Sequence, residues 1–587
     1  MKKSKKRKNH PPKRKRRVKA KPLPKVRNKL DAGSPEQTSS PMLTSFDQVS
    51  QSDPAAGLLA RAAIALQEGN PHEAFDFCRK ALGLDPENPG AFNLAGIAAF
   101  HAGLAEEGLT LLQIAVDKKP SDAEAQTNLG NVLMHLDRIA EAENAYQAAM
   151  AADPGYADAF FNFGLLNNLS GQQTKAVSAF TQALNISPTH SPAQQGLGDA
   201  LKALGQLDRA KLVYETVLDK NPALSTVRTN LAAVLHELGD FDAAAGHCRL
   251  ALEASPELTE ARYNLGIVLQ EQGRYKDAID AYEQVLVSQP GRAAAALNIA
   301  YALQQMGKQD AAVDAIKKTL DIDPEFTKAH VNLADLYLQQ GNPSAALEIC
   351  DSFLARHPGN TDLLAFKAIT LTDCGEIEAA QEIVDFDRFL WTGSITPPAA
   401  YADLADFNTA LSEHVTCHPT LSYAPLSHAT RKGRHSGELL NEPKGPIAAL
   451  EKIILSSVDD YREKHARDNR HPFLASIPDG LTLSVWGVVL QAAGHQISHI
   501  HPAAWLSGIY YPKIPDVVSA DKPDKAGWIQ FGQPPDHFHN QVQPETISIK
   551  PEAGLIMLFP SYFYHHTIPF EIEDTRISIA FDLMPVS

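Results

Sequence analysis

The sequence predicts an α + β protein of several domains, in which a long array of helical repeats precedes a strand-rich domain. Three observations lead to this prediction. A period of 34 residues runs through the first two thirds of the 587-residue chain. After about residue 481, short segments of β-like composition alternate with turn residues. Residues 1–29 contain sixteen Lys or Arg and no acidic residue, although the whole chain has a net charge of −15.

The basic segment begins the chain, and we expect residues 1–54 to be a disordered tail and linker. So dense a block of like charge cannot be buried, and residues 30–54 are polar and rich in Ser and Pro. Such a tail either only solubilises the chain or contacts nucleic acid, an import receptor or the acidic body of the protein. Elsewhere nucleic acid is not an expected partner. Removing the sixteen positive charges from −15 leaves −31, and phosphate contacts need a basic surface.

The cellular compartment is predicted from two features. No run of about 18 apolar residues occurs, and no apolar core follows the basic run, so we expect neither a membrane span nor a secretory signal. Five dispersed cysteines without a CxxC pair indicate a reducing compartment, and we predict a cytoplasmic protein. The cysteines are Cys78, Cys248, Cys350, Cys374 and Cys417.

The 34-residue period is clearest in its prolines, and small residues recur at two further positions. Each unit is predicted to be two antiparallel helices, because Pro ends the second helix and small residues let the helices approach closely. A single unit cannot bury its apolar face, so ten units over residues 55–394 should stack into a superhelix with a concave groove. The prolines are Pro86, Pro120, Pro154, Pro188, Pro222, Pro256, Pro290, Pro324 and Pro358.

Segments such as TEARYNLGIVLQEQGRYKDAIDAYEQVLVSQPGR closely resemble the tetratricopeptide repeat. This resemblance implies a protein or peptide partner in the groove. The sixth position of most repeats is Asn, which is similar to the asparagine ladder of O-linked N-acetylglucosamine transferases and would hold an extended peptide backbone. Alternatively, these side chains bond to their own helix backbone, as helical Asn usually does. The row is Asn128, Asn162, Asn230, Asn264, Asn298 and Asn332, and Gly196 interrupts it.

The second part of the chain begins where the period stops, after about residue 388. Apolar spacing predicts an amphipathic helix over residues 446–467. Six short segments then predict an all-β sandwich or barrel. They are LTLSVWGVVLQ, WLSGIYYP, GWIQFG, TISIKP, GLIMLFP and RISIAFDLMP.

Histidines cluster at particular points on these predicted strands. His499 and His501 stand two residues apart just before WLSGIYYP, so an extended backbone turns both imidazoles the same way. His565 follows far downstream, and Arg576 and Ser578 come after it in RISIAF. Two or more imidazoles converging with open positions suit a non-haem Fe(II) site, which usually has two His and one carboxylate.

With the motifs HIHP, LSGIYY, FPSYFYH and RIS, residues 395–587 resemble the 2-oxoglutarate- and Fe(II)-dependent dioxygenases, most closely a prolyl-hydroxylase-like branch. The resemblance implies a double-stranded β-helix, or jelly roll. It also implies that His499 and His565 are iron ligands and that Arg576 and Tyr511 bind the distal carboxylate of 2-oxoglutarate. Arg suits that carboxylate because it offers parallel N–H donors, and Ser578 on the same face could assist.

The sequence departs from the family at His501, which stands where most members have Asp. Three neutral imidazoles would leave the metal its full charge, and the dianion 2-oxoglutarate would then neutralise the site. Imidazoles also suit Zn, Cu and Ni, and His501 is alternatively a support residue with water in its place. Further candidates are His566 as the substitute for His565, His495 and Trp505 beside the pocket with Trp486 and Trp528, and the loop residues His537 and His539.

The sequence therefore predicts an Fe(II)- and 2-oxoglutarate-dependent oxygenase that uses O2 to hydroxylate a protein or peptide side chain presented by the repeat groove. One alternative is the same chemistry on a small molecule, with the repeats serving only assembly. Another is a repeat scaffold with a catalytically inert jelly roll, whose histidines make structural hydrogen bonds.

Overall fold

The structure is a computed structural model that describes most of the chain beyond the predicted tail. The described ranges are 53–425, 428–441, 443–465, 470–519, 523–571 and 574–586, without the side chains of Ala492 and Ser519. The predicted basic tail and most of its linker, residues 1–52, lie outside the described residues.

The repeat array forms ten antiparallel helix pairs in the described residues between 54 and 383, which confirms the predicted helical part of the fold. We number the repeats from residue 55, so that each begins 34 residues after the last. The helices are α1 (Pro54–Gln67), α2 (Pro71–Leu84), α3 (Pro89–His101), α4 (Ala105–Lys118), α5 (Ala123–His135), α6 (Ile139–Ala152), α7 (Ala157–Leu169), α8 (Gln173–Ile186), α9 (Ser191–Ala203), α10 (Leu207–Lys220), α11 (Ser225–Glu237), α12 (Phe241–Ala254), α13 (Thr259–Glu271), α14 (Tyr275–Ser288), α15 (Ala293–Gln305), α16 (Gln309–Ile322), α17 (Thr327–Gln339), α18 (Pro343–Leu354), α19 (Thr361–Cys374) and α20 (Ile377–Ile383).

Small residues set the distance between the two helices of each repeat. At the eighth position of repeats 3, 4, 5 and 7, Gly precedes an aromatic residue by sixteen positions, whereas in repeats 1, 6 and 9 Ala precedes the smaller Cys. A Cβ added at Gly266 would lie 2.5 Å from the ring of Tyr282. Repeat 6 has Ala232 and the smaller Cys248 at the same two positions. All four of these residues are buried. The two positions therefore compensate for each other in volume.

After the array, the described residues form five helices and ten strands. The predicted helix over 446–467 is present as α23 as far as residue 465, and each of the six predicted strand segments contains a strand. The helices are α21 (Phe386–Phe389), α22 (Leu404–Thr416), α23 (Ile447–His465), α24 (Pro472–Ala475) and α25 (Asp516–Ser519). The strands are β1 (Trp391–Ser394), β2 (Ser422–Tyr423), β3 (Thr430–His435), β4 (Leu481–Gln496), β5 (Leu506–Lys513), β6 (Ile529–Phe531), β7 (Ile547–Ile549), β8 (Leu555–Pro560), β9 (His565–Thr567) and β10 (Arg576–Pro585).

The strands form two antiparallel sheets among the described residues. One has seven strands in the order β1-β8-β5-β10-β4-β3-β2, and the other has three in the order β7-β6-β9. Because Trp391 pairs with Leu558, the large sheet begins four residues before residue 395, where the sequence placed the start of this domain. The unpredicted strands β1, β2, β3 and β9 are short or polar, so they carry little of the alternation by which a strand is recognised.

The two parts of the chain share one apolar core. A single cluster of buried residues joins Ala334 and Phe366 of repeats 9 and 10 to Phe389, Tyr510 and Phe559 of the strand-rich domain. This core holds the last repeats firmly against the sheets, because its residues belong to both.

Polar contacts reinforce the same attachment and add a second one. Tyr562 Oη donates a hydrogen bond to the carbonyl oxygen of Ile383 at 2.7 Å, and Thr361 Oγ1 donates one to that of Pro502 at 2.9 Å. Near the middle of the array, Ser422 Oγ donates to the carbonyl oxygen of Gly205 at 3.1 Å. The strand-rich domain thus touches repeat 5 as well as repeats 9 and 10 and spans part of the groove.

Within the described ranges, no helix is both long and apolar enough to cross a membrane.

Candidate metal centre and interdomain cavity

Three histidines converge at one point between the two sheets. One ring nitrogen from each of His499, His501 and His565 lies within 4.8 Å of those of the other two. The backbone brings the distant residues together, since the N–H of His499 donates to the carbonyl oxygen of His565 at 3.1 Å and the reverse bond has the same length. The rings of His499 and His565 are 4.3 Å apart between centroids. Imidazoles at this spacing can bind one metal ion.

The outer nitrogen of each ring fixes its tautomer. His499 Nδ1 lies 2.8 Å from the carbonyl oxygen of Ile497, and His565 Nδ1 lies 2.9 Å from that of Phe563. A carbonyl oxygen only accepts, so both Nδ1 atoms carry the proton and both Nε2 atoms keep a lone pair. Metal-binding histidines use this arrangement, in which the outer N–H is bonded and the other nitrogen is free to coordinate.

His501 is held in the same way by a carboxylate. Its Nδ1 lies 2.9 Å from both carboxylate oxygens of Asp582, and Ser507 Oγ donates to the same carboxylate at 2.6 Å. Its Nε2 is buried and has no hydrogen-bond partner among the described residues. The sequence analysis missed Asp582, although it is the one acid in RISIAFDLMP and stands an even number of residues after Arg576 and Ser578.

Burial keeps two imidazoles of this centre, those of His499 and His565, neutral. Burial, together with the neighbouring His501, lowers the pKa of His499 to about 3. It also holds the pKa of His565 well below the usual range, with His499 and His501 adding to the effect. Neutral imidazoles are the form that coordinates a metal.

A buried cation lies deeper along β10. Arg576 is fully buried, and its Nη2 donates to Tyr511 Oη at 3.4 Å. Its Nε and Nη1 and the hydroxyl of Ser578 find no hydrogen-bond partner in the described part of the chain. Burial lowers the pKa of Arg576, because desolvation disfavours the charged form, yet a guanidinium remains protonated in proteins. A buried guanidinium with two unpaired nitrogens fits a carboxylate ligand, since burial of an unpaired charge is costly.

Four of the other predicted pocket residues, Trp505, His566, His495 and Trp528, do not line the cavity at the three histidines. Trp505 is 5% exposed, stacks on Phe473 at 5.0 Å between ring centroids and donates its indole N–H to the carbonyl oxygen of that residue. It is therefore a core residue. His566 follows His565 on β9 and points to the other side of the strand, and neither it nor His495 lines the cavity at the histidines. Trp528 donates no indole hydrogen bond within the described residues.

A cavity of about 360 Å³ opens at the three histidines, and Asp582 and Ala580 form part of its wall. A second cavity of about 650 Å³ lies between repeats 5 to 7 and the edge of the large sheet. Both cavities are lined by His428, His435 and Trp486, so the two are neighbours with a common wall.

This common wall is a stack of rings. The Trp486 indole lies between two imidazoles, with centroid distances of 5.9 Å to His435 and 5.8 Å to His501. Burial, with His428 nearby, lowers the pKa of His435 to about 4, so this ring is neutral at physiological pH. The part of this wall formed by Trp486 and His435 is therefore aromatic and uncharged.

The asparagine row has mixed surroundings. Asn162 Nδ2 donates to the carbonyl oxygen of Asp158 at 2.8 Å, which is the local alternative considered from the sequence. Three others donate to the preceding repeat: Asn128 to Asn93 at 3.0 Å, Asn230 to Asp199 at 2.8 Å, and Asn298 to Tyr263 at 3.3 Å. Asn264 lines the larger interdomain cavity, and Asn298 and Asn332 line a smaller one beside His537 and Phe538.

Comparison with protein families identifies both parts of the chain. Residues 484–582 match the family described as "Putative 2OG-Fe(II) oxygenase". Three families described as "Tetratricopeptide repeat" together match most of residues 65–385. The chain therefore contains a tetratricopeptide array followed by a domain of this oxygenase family, as the sequence motifs predicted.

Solved structures similar to this chain include tetratricopeptide proteins. The Cut9–Hcn1 assembly of the APC/C has a TM-score of 0.37 and 20% identity, and the match covers 50% of this chain and 58% of that chain. YrrB, described as having an unusual peptide-binding site, has a TM-score of 0.28 and 21% identity, covering 31% of this chain and 95% of that one. A repeat protein of Parabacteroides merdae has a TM-score of 0.34 and 15% identity, covering 42% and 98%. No curated protein matches the chain.

Proposed function

We propose that this protein is an Fe(II)- and 2-oxoglutarate-dependent oxygenase that hydroxylates a side chain of a polypeptide held in the repeat groove. One observation carries the proposal: three imidazole nitrogens converge on one point while a buried guanidinium on a nearby strand lacks a counter-charge. The two features together match the chemistry of a metal and a dicarboxylate cofactor.

The residues of the centre fit these groups. His499, His501 and His565 would hold the metal by Nε2, and Asp582 would keep the His501 ring oriented and its Nδ1 protonated. Arg576, with Tyr511 and Ser578, would bind the distal carboxylate of 2-oxoglutarate. When bound, iron and 2-oxoglutarate supply the oxidation of a C–H bond by O2. The protein contributes orientation and an aromatic wall that limits access of water.

The charges of this assignment balance. Three neutral imidazoles leave the two positive charges of Fe(II), and dianionic 2-oxoglutarate neutralises them. Arg576 then faces one end of the dianion, while Asp582 compensates for part of the remaining positive charge through His501. The site therefore does not need the carboxylate ligand that most members of the family have.

The proposed function is tested by the turnover of 2-oxoglutarate in the absence of a polypeptide substrate. Purified protein with Fe(II), 2-oxoglutarate and O2 should release succinate, and His499→Ala and His565→Ala should lose both this activity and bound metal. His566→Ala is the matched control, because its ring lies on the opposite side of β9. Arg576→Ala should keep the metal and raise the 2-oxoglutarate KM about tenfold or more, as expected for loss of a charge-assisted bond.

Two results would contradict the proposal. If wild-type protein binds metal but releases no succinate, the strand-rich domain is an inert partner of the array. If His566→Ala loses the metal and His565→Ala keeps it, the assignment of the third ligand is wrong.

The same chemistry on a small molecule is the second candidate. The interdomain cavity of about 650 Å³ is within the usual volume of a small-molecule site, and this volume favours a small-molecule substrate. In that case a metabolite pool, and not a peptide pool, should stimulate succinate release.

A further inference from the structure

A small cavity lies at the seam between repeat 10 and the strand-rich domain, and we call it the seam cavity. Its volume is about 110 Å³, and α19, α20 and the segment that leads into β9 form its walls. Most of the wall is apolar or aromatic. Its buried residues include Ala365, Ala368, Ile369, Ala380, Tyr562 and Phe563.

The wall of the seam cavity offers little to a water molecule. The hydroxyl of Thr372 donates to the carbonyl oxygen of Ala368 at 3.0 Å, and that of Tyr562 donates to the carbonyl oxygen of Ile383 at 2.7 Å. Both protons are therefore already used. A buried water needs at least two polar partners, whereas an apolar cavity of about 150 Å³ in another protein stays dry and binds xenon or benzene.

The loop between β6 and β7 lies over the solvent side of this seam. Asp335 of repeat 9 accepts a hydrogen bond from the backbone N–H of His539 at 2.9 Å and lies 2.7 Å from its Nδ1. Asp373 of repeat 10 accepts from the backbone N–H of Val542 at 2.8 Å. Two carboxylates of the array thus hold the loop in place.

Polar groups are concentrated at the rim of the seam cavity. The loop supplies Pro544 and Glu545 to the rim, and Gln381 Nε2 of α20 donates to Glu545 Oε2 at 2.9 Å. Gln381 and Glu545 are exposed, whereas Ala365 and Ile369 inside are each 2% exposed. The cavity therefore has a polar rim towards solvent and an apolar interior.

Phenyl rings lie between the seam cavity and the metal centre. Gly532 lines the cavity, and the preceding Phe531 has its ring 5.9 Å from that of His565 and 5.0 Å from that of Phe559. Phe559 lines the cavity at the three histidines. Both rings are buried, and side chains in a packed core still change rotamer. Their motion can admit a small apolar molecule, whereas an ion would have to lose its hydration.

We propose that the seam cavity binds molecular oxygen and that O2 passes from it by Phe531 and Phe559 to the three histidines. O2 is small, uncharged and apolar, so an apolar wall favours it over water. Dianionic 2-oxoglutarate is excluded from such a site by its charge. The use of O2 rests on the proposed function, but the ability of the cavity to bind an apolar diatomic molecule does not.

Binding is measured by NMR on the full-length, metal-free protein with labelled alanine methyl groups. Xenon under pressure should shift the signals of Ala365, Ala368 and Ala380 until they saturate, and dissolved O2, which is paramagnetic, should broaden the same signals. Ala380→Leu should abolish both effects at Ala365 and Ala368, because the longer side chain fills the cavity. Ala278→Leu is the matched control, since Ala278 is buried at the same position of repeat 7 and does not line the cavity.

A second variant changes the cavity in the opposite direction. Ile369→Ala enlarges it, so xenon should saturate the same signals at lower pressure than in wild type. This variant tests the site even if Ala380→Leu does not fold, and unfolding temperatures show which variants are folded.

Kinetics then connect the cavity with the reaction. In the succinate assay, Ala380→Leu should raise the KM for O2 about fourfold, the factor by which burial favours an apolar group of methylene size. Its KM for 2-oxoglutarate and its bound metal should equal those of wild type. Ala278→Leu should leave the KM for O2 unchanged.

The outcomes separate this inference from the proposed function. Xenon and O2 effects that are absent in wild type, or equal in wild type and Ala380→Leu, overturn the site whatever the succinate assay gives. Binding that is lost in Ala380→Leu while its KM for O2 stays unchanged overturns the route to the histidines. Binding that is lost in Ala380→Leu while wild type releases no succinate supports the apolar site and overturns the oxygenase.

Discussion

Asp582 is the residue on which the unusual third histidine depends. It accepts from His501 Nδ1 through both oxygens and thereby turns Nε2 towards the other two imidazoles. In a centre with a carboxylate ligand, the negative charge touches the metal. In the proposed centre the charge would lie one ring farther from the metal and would act through the basicity of an imidazole.

Replacement of this carboxylate should weaken the metal site. Asp582→Asn keeps the size of the side chain but removes its charge, and we expect metal affinity to fall by about tenfold to a hundredfold. Isothermal titration with Fe(II) under anaerobic conditions, or with Zn(II), measures the change. Ser507→Ala is the control, since it removes only the hydrogen bond from Ser507 to Asp582. An affinity unchanged in Asp582→Asn would show that His501 is not a ligand.

The neutral histidines should also make the metal-free protein sensitive to acid. The pKa is lowered to about 3 at His499 and to about 4 at His435, whereas an unfolded His titrates near 6.5. Between these values the unfolded state binds protons that the folded state does not. The free energy of unfolding should therefore fall as pH decreases from about 7 towards 4.

Urea unfolding of metal-free protein at a series of pH values measures this slope. His435→Gln should flatten it, because one of the responsible imidazoles is gone. A midpoint that does not move over this range would contradict the assignment of neutral buried rings.

Among individual residues, the spacing and the resemblance of the motifs predicted the three histidines and Arg576 as site residues from the sequence. Spacing worked for His499 and His501 because alternate residues of an extended segment share a direction. Asp582 required knowledge of which strand lies beside His501, and that is a property of the sheet order. Trp505 was placed near the pocket by its position in the motif, yet the direction of its ring is set by packing against Phe473.

At the scale of the element, the helix pairs depend on volume compensation between two positions of each repeat. Gly266→Ala would place a methyl group 2.5 Å from the Tyr282 ring, so we expect a loss of about 1–3 kcal/mol in the free energy of unfolding. Adding Tyr282→Cys should recover part of this loss, since the pair then resembles Ala232 and Cys248 of repeat 6. Urea unfolding of the two single variants and the double variant gives the coupling energy.

The converse change is the control for this cycle. Ala232→Gly removes a methyl group opposite a small side chain, and it should cost only about 0.5–1 kcal/mol through helix propensity. Additive effects in the Gly266 cycle would mean that the two positions are independent. The period itself predicted the helix pairs, whereas the pairing of Gly with large side chains became visible only once the facing residues were known.

At the scale of the whole molecule, the last repeats and the strand-rich domain are one structural unit, because they share a core. Phe389 is fully buried where α21 joins the sheets, with its ring 5.8 Å from that of Phe473 and 6.4 Å from that of Phe563. Phe389→Ala should cost about 3–5 kcal/mol. We expect faster hydrogen exchange in α19 and β8 together and unchanged exchange in α1 to α4.

Phe180→Ala in repeat 4 provides the comparison. It removes an equally buried ring from the array alone, so exchange should rise in α7 to α9 and not in the sheets. Exchange that rises in β8 but not in α19 after Phe389→Ala would show that the two parts open separately. The sequence separated the domains near residue 394 by the change of period, and it had no means of showing that their cores merge.

The merged core fixes the metal centre relative to the groove. If a polypeptide is held in the repeat groove, as proposed, the span from the bound stretch to the three histidines is a constant of the fold. The protein would then work as a ruler: it would select the residue to be modified by its separation along the substrate from the bound stretch, with little regard for the sequence between them.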